Sequence, residues 1–149
     1  MPITLMVRRK PGTEDLPLPR YMSEAAAGMD VCAAVDEPLH LAPGDVKLVP
    51  TGLYVAVPSG YEIQVRPRSG LALKLGLTIV NAPGTIDADY RGEVGIIVGN
   101  IGRQPVQITR GMRIAQLVVA AVARADVKVV EALPESGRGD GGFGSSGTH

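Results

Sequence analysis

Between Asn81 and Glu93 the chain reads Asn-Ala-Pro-Gly-Thr-Ile-Asp-Ala-Asp-Tyr-Arg-Gly-Glu, which sets Asp87, Asp89, Tyr90 and Arg91 within five residues. A carboxylate ionised near neutrality can orient a water and take its proton. A surface hairpin does not need that density of functional side chains to be soluble. Taken alone, the stretch also reads as a solvated hairpin tip. A second group suits an anion. Arg68 and Ser69 stand where a strand gives way to a short helix, and a helix start offers unpaired N–H groups and a positive dipole end. Arg68 adds a forked donor able to grip two phosphate oxygens, which lysine cannot copy. A capping serine beside a surface arginine is the alternative. Gln116 lies in an apolar strand, where a lone amide is either satisfied by neighbours or functional. Asp30 follows Gly28 at a strand start, where an aspartate commonly serves a turn or a cap.

The elements that must position these groups are mostly strands. Ile3–Val7, Val46–Val49, Leu53–Val57, Tyr61–Val65, Leu77–Val80, Val94–Val98, Val106–Ile108 and Ile114–Val122 alternate or are β-branched. Pro-Gly, Pro-Ser-Gly and Ala-Pro-Gly breaks separate them at short intervals, the pattern of a sandwich or barrel. Pro83-Gly84 supplies turn chemistry between two strands, proline with φ preset and glycine free to take φ > 0. Ser69 to Leu75 is the one plausible helix, opened by a capping serine. Tryptophan is absent and Phe143 is the single phenylalanine, so the core must be built from Val, Ile, Leu and Ala.

After Leu133 the chain turns rich in Gly and Ser. Residues 134–149 have the composition of a flexible arm, set apart from a folded unit over residues 1–133. Phe143 alone among glycines is odd for a mere linker. Bare amide N–H groups, one ring and Arg138 suit folding over an anionic, aromatic ligand. The arm is not a nucleotide P-loop, since no lysine follows the glycines and no helix comes next.

The composition narrows the class. The 149 residues fit one domain, and 15 basic against 15 acidic residues leave no global field to draw nucleic acid or membrane. Any anion site is local. Cys32, the one cysteine, rules out an intrachain disulfide framework, suits a reducing compartment, and reads as a small buried hydrophobe rather than a nucleophile. No apolar stretch reaches the ~20 residues that span a bilayer, and the charges of Met1–Lys10 follow the short apolar run, the reverse of a secretory signal. The expectation is cytoplasmic. His40 and His149 are isolated, so no zinc cluster exists.

Five segments stand in fixed order: Ala27-Gly28-Met29-Asp30-Val31, Pro67-Arg68-Ser69-Gly70-Leu71-Ala72-Leu73-Lys74, the Asn81–Glu93 stretch, Gly111-Met112-Arg113-Ile114-Ala115-Gln116-Leu117-Val118, and Arg138-Gly139-Asp140-Gly141-Gly142-Phe143-Gly144-Ser145-Ser146-Gly147. The set resembles the five motifs of the trimeric dUTPases. That resemblance implies an all-β, distorted jelly-roll or β-clip sandwich with one short helix and a flexible C-terminal arm. It implies hydrolysis of dUTP to dUMP and pyrophosphate by direct attack of a water that Asp87 activates, removing dUTP and supplying dUMP for thymidylate synthesis. Arg68, Ser69, Gly70 and Gln116 would contact the phosphates. The hairpin through Asn81, Gly84, Thr85, Ile86 and Gly95 would hold uracil by its backbone, whose fixed donors and acceptors discriminate better than a rotatable amide. Tyr90 would lie under the deoxyribose and leave no room for a 2′-hydroxyl. Arg138, Phe143, Gly144, Ser145 and Ser146 would close over base and γ-phosphate. Asp30 would touch, through water, a Mg²⁺ carried by the triphosphate, an ion that keeps several waters. Each site would draw on three chains of a homotrimer. Within the sequence only the long apolar run Ile114–Val122 hints at assembly.

Ser146, Met112 and Val31 depart from the common family residues without touching that chemistry. Two rivals remain at this stage. A dCTP deaminase shares the fold but needs another carboxylate arrangement, and a silent binding protein would lack the aspartate or the arm.

Overall fold

The computed structural model describes residues 2–149. Eleven strands and one helix follow in order: β1 Met6–Arg9, β2 Arg20–Tyr21, β3 Met29–Cys32, β4 Leu39–Leu41, β5 Val46–Ala56, β6 Tyr61–Arg66, α1 Ser69–Leu75, β7 Leu77–Ile79, β8 Gly84–Ile86, β9 Glu93–Asn100, β10 Val106–Ile108 and β11 Arg113–Ala121. They form a distorted jelly-roll sandwich. One sheet has the order β1-β5-β9-β7, the other β2-β3-β11-β6-β8, and β10-β4 make a two-stranded ribbon. Every pairing among these strands is antiparallel.

Leu41, Val49, Ile63, Ile96, Ile108 and Leu117 are fully buried between the layers. The core is aliphatic, as a chain without tryptophan requires. Burial of each such side chain is worth about 1.5–3 kcal/mol, offset in large part by the entropy of ordering the chain. One buried polar group ties the loops together. Asn100 donates to Leu41 O at 3.0 Å and Gln104 O at 2.8 Å, and its Oδ1 accepts from Gly102 N–H at 2.9 Å.

Several local expectations change. The two strands expected over Val46–Val49 and Leu53–Val57 are one strand, β5, whose register against β9 shifts between Pro50 and Tyr54. Such a bulge keeps both halves in one ladder while bending it. Strands β2, β4 and β8 are too short for alternation to reveal. Ser69 is not a cap. Arg68 occupies the N-cap position, extended at φ −90° and ψ 129°, and no side chain caps the helix. The apolar run of β11 needs no second chain to explain it, because β11 lies between β3 and β6 in the sheet.

The hairpin between β7 and β9 is also more than a turn. β7 pairs with β9, as expected, with Ile79 opposite Val98. Between them the chain crosses to the other sheet, where β8 pairs with β6. Gly84 does not use positive φ there. A Cβ at Gly84 would lie 3.0 Å from Val65 Cβ, so close approach to β6 requires glycine, not turn conformation.

Cys32 is buried in β3. Burial pushes its thiol pKa up, against the pull of Arg113. A raised pKa means less thiolate at any pH below it, so the folded thiol is protected both by access and by protonation. Alkylation by iodoacetamide at pH 8 should run at least roughly tenfold slower in the folded protein than after unfolding in urea. Equal rates would show an open, reactive thiol.

Candidate active site

Strands β3 and β11 and the start of α1 build the anion group. Asp30 lies within β3, opposite Gln116 of β11 and Arg20 of β2, and is 7% exposed. A buried carboxylate needs partners, and here it has two cations. Arg113 Nη1 donates to Asp30 Oδ2 at 3.0 Å, and Arg68 Nη2 lies 3.5 Å from the same oxygen. Arg68 Nη1 also donates to Arg113 O at 3.1 Å. Its Nε is buried and unpartnered, so part of its donor capacity is unspent. Asp30 is therefore neither a turn nor a cap residue but the anion that orders two arginines. Gln116 lies over Gly28, where an added Cβ would sit 2.8 Å from Oε1. Ser69 and Gly70 are exposed at the start of α1.

Nothing in the sequence pattern marks Arg113, although it stands in the fourth segment. The register of β11 on β3 shifts between Arg113 and Ala115, and this irregularity brings Arg113 to Asp30. A strand pattern alone carries no sign of it.

The second group sits in the crossing segment. Asp87 is exposed just past β8, at the mouth of a cleft of ≈ 900 Å³ that Tyr61, Glu62, Asp89, Arg91 and Arg124 also line. The Tyr90 N–H donates to Asp87 O at 3.1 Å, so aspartate and tyrosine share one turn. Tyr90 Oη donates to Glu93 O at 2.9 Å, and Arg91 Nη1 donates to Ala88 O and Tyr90 O, both at 2.8 Å. The turn is thus fastened largely by its own side chains. Thr85 is exposed opposite Gln64, while Ile86 is buried and serves the core.

Asn81 follows β7, and among the described residues its backbone N–H and C=O find no backbone partner. Val80 N–H bonds Ile97 O. By the alternation of an antiparallel ladder, the backbone groups of Gly95 turn toward the same edge of β9, beyond the end of β7. Asn81 and Gly95 thus both carry backbone groups that the β7–β9 ladder does not use.

These two groups are not one site within the chain. β8 runs antiparallel to β6, with Gly84 opposite Val65 and Ile86 opposite Ile63. Asp87 therefore continues toward Glu62, while Arg68 lies past the other end of β6. The span from Glu62 to Arg66 alone is ~13 Å at ~3.3 Å per residue.

The arm stands apart from both. Val122 N–H bonds Gly60 O, and beyond it residues 123–149 bond only among themselves among the described residues. Arg138 Nε donates to Gly141 O at 2.6 Å. Phe143 is fully exposed with φ 47°, a left-handed backbone uncommon for a non-glycine residue. Gly144, Ser145 and Ser146 follow it in an exposed turn. No helix is long and apolar enough to cross a membrane among the described residues.

The chain is similar to known proteins over almost its whole length. The dUTPase family model matches residues 14–147. The deoxyuridine 5′-triphosphate nucleotidohydrolase of Anaeromyxobacter sp. (strain Fw109-5) is 58% identical over 149 residues, covering 99% of each chain. Among solved structures, a mutant dUTPase of Staphylococcus bacteriophage 80alpha with dUpNHpp superposes with a TM-score of 0.87 at 29% identity, covering 97% of this chain and 99% of that one. A mutant dUTPase from phage phi11 of S. aureus, solved for the coordination of a structural Mg(II) ion, gives 0.78 at 27% identity, covering 89% and 99%. Five ordered motifs, the sandwich that carries them and a match spanning nearly every residue lead to one conclusion: this chain belongs to the dUTPase family.

Proposed function

We propose that the protein hydrolyses dUTP at the α-phosphorus, giving dUMP and pyrophosphate. The observation that carries the residue assignment is the turn in which Tyr90 N–H bonds Asp87 C=O. It sets the Tyr90 ring three residues after a carboxylate that lines the cleft. Asp87 takes a proton from a water as its oxygen bonds the α-phosphorus. The bond from that phosphorus to the bridging oxygen of the β-phosphate breaks, and pyrophosphate leaves with the electron pair. Developing charge on the phosphate oxygens meets Arg68, Gln116, the Ser69–Gly70 amides and, from the arm, Arg138.

Uracil binds at Asn81 and Gly95, where backbone groups the ladder leaves unused read its pairing edge. Gly84 lets the segment lie close to β6, with Thr85 and Ile86 as its support. The Tyr90 ring underlies the deoxyribose and excludes a 2′-hydroxyl. Among the described residues no three His, Cys, Asp or Glu side chains converge on a metal position. This fits Mg²⁺ held mainly by the triphosphate and its waters. Both arginine contacts of Asp30 fall on Oδ2, which leaves Oδ1 to hold a water of that shell. Bound there, the ion would neutralise phosphate charge.

The separation along β6 supports a site completed by other chains. Asp87 of one protomer would face Arg68 of a second, with the arm of a third closing over both, in a homotrimer. The unit over residues 1–133, whose last backbone bond to the sandwich is made by Val122, and the arm 134–149 then have distinct tasks. The single buried cysteine supports a reducing, cytoplasmic setting, and dUMP would feed thymidylate synthesis.

Asp87→Asn should keep dUTP binding and slow pyrophosphate release by ~10²–10⁴-fold, the usual worth of a general base. Near-normal turnover by this variant would remove Asp87 from the role. Mixing Asp87→Asn chains with chains ending at Leu133 should regain part of the activity, because some sites then join an intact turn to an intact arm. A site built within one chain would gain nothing. Ordering the arm costs ~1–2 kcal/mol per residue in backbone entropy, so it should settle only on nucleotide. Phe143→Trp fluorescence should change when a non-hydrolysable dUTP analogue and Mg²⁺ are added, and truncation after Leu133 should lower kcat most. A silent tryptophan with full activity after truncation would leave the segment an ordinary terminus.

A further inference from the structure

Tyr90 can act on the sugar only if its ring has one position. It is 45% exposed, so close packing does not enclose it. What holds it is local. Its hydroxyl donates to Glu93 O at 2.9 Å, and its ring lies across Gly92. A Cβ built on Gly92 would lie 2.9 Å from Tyr90 Cε2 and closer still to Cζ and Oη. The three atoms such a methyl would strike first all belong to that one side chain.

The backbone does not explain the glycine. Gly92 lies outside the left-handed region, so an L residue could adopt its conformation. Nor does the core, since the first atoms struck are the far end of a partly exposed side chain. The next residue is firmly anchored. Glu93 Oε1 accepts from Gly52 N–H at 2.9 Å, and Oε2 lies 3.5 Å from Lys10 Nζ. These contacts tie Glu93, and with it the carbonyl that Tyr90 uses, to the bulge of β5.

We propose that Gly92 is a specificity-determining residue: its bare Cα is the seat of the Tyr90 ring, and the depth of that seat sets the room left for the sugar. Glu93 is the positioning residue that keeps seat and ring in register with the sandwich. The inference rests on the reading of Tyr90 as the group that excludes the 2′-hydroxyl. A methyl at Gly92 lifts the ring without disturbing the core, so it alters selection between deoxyribose and ribose more than it alters folding.

The test is a double-mutant cycle read as kcat/KM for dUTP divided by that for UTP. Gly92→Ala should lower this ratio roughly tenfold or more, the lower end of what one misplaced group in a pocket is worth, with a melting temperature within a few degrees of the unaltered protein. Placed on Tyr90→Ala, the same methyl should change the ratio less than about twofold, because no ring remains to lift. Tyr90→Phe, which keeps the seat and loses only the hydroxyl contact, should hold most of the discrimination. An unchanged ratio in Gly92→Ala, or an equal loss with and without the ring, would overturn the seat. If Gly92→Ala does not fold, loss of discrimination in Tyr90→Phe overturns the proposal, since the hydroxyl contact alone would then hold the ring. If Tyr90→Ala itself leaves the ratio unchanged, the sugar-excluding role of Tyr90 fails first and the seat fails with it.

Discussion

The pairing of three residues, Gly84 to Ile86, with strand β6 is the constraint on which the rest of the site depends. The chain leaves one sheet after β7, lays this short strand on the other sheet, and returns to pair again as β9. Ile86 is drawn into the core, which fixes the strand's facing, and a slip of one residue would expose it. The same alternation turns Thr85 outward. Asp87 and Tyr90 inherit their positions from this docking, because the turn that carries them starts where β8 ends. Gly84 is the enabling residue, since any side chain there meets Val65.

The second constraint is electrostatic. Asp30 is buried in its sheet and touches two guanidinium groups through a single oxygen. Removing either partner would leave a buried charge poorly compensated, a costly state. The pair of arginines would repel one another without it. One carboxylate therefore organises a local positive surface on a protein whose net charge is zero. Charge is concentrated by position rather than by composition.

Much of this was legible in the sequence. Long alternating runs marked β5, β6, β9 and β11 because their alternation continues for several residues. Asp87, Tyr90, Arg68, Gln116 and Asp30 stood out because polar groups interrupt or flank apolar runs. Their neighbours did not. Arg113 reaches Asp30 through a register irregularity, and the β5 bulge joins two apparent strands into one. Both are properties of pairing between distant segments, which local pattern cannot encode. Gly84 reads as a turn glycine and Gly92 gives no sequence signal, yet each lies against a neighbour that a side chain would strike. Close approach is invisible until the neighbour is known.

The stretch just before the arm has a consequence for the life of the chain. Val127 and Val129 stand almost wholly in solvent, and Leu133 is 83% exposed. Unpaired, β-prone and apolar, such a run is the kind that pairs with whatever edge it meets. Asp126, Lys128 and Glu131 are set among the valines as charged gatekeepers that discourage stacking. During synthesis this run follows the sandwich out of the ribosome, and folding proceeds in that direction. The run thus emerges once the sheets have formed, and its interspersed charges disfavour its addition to the edges they leave open.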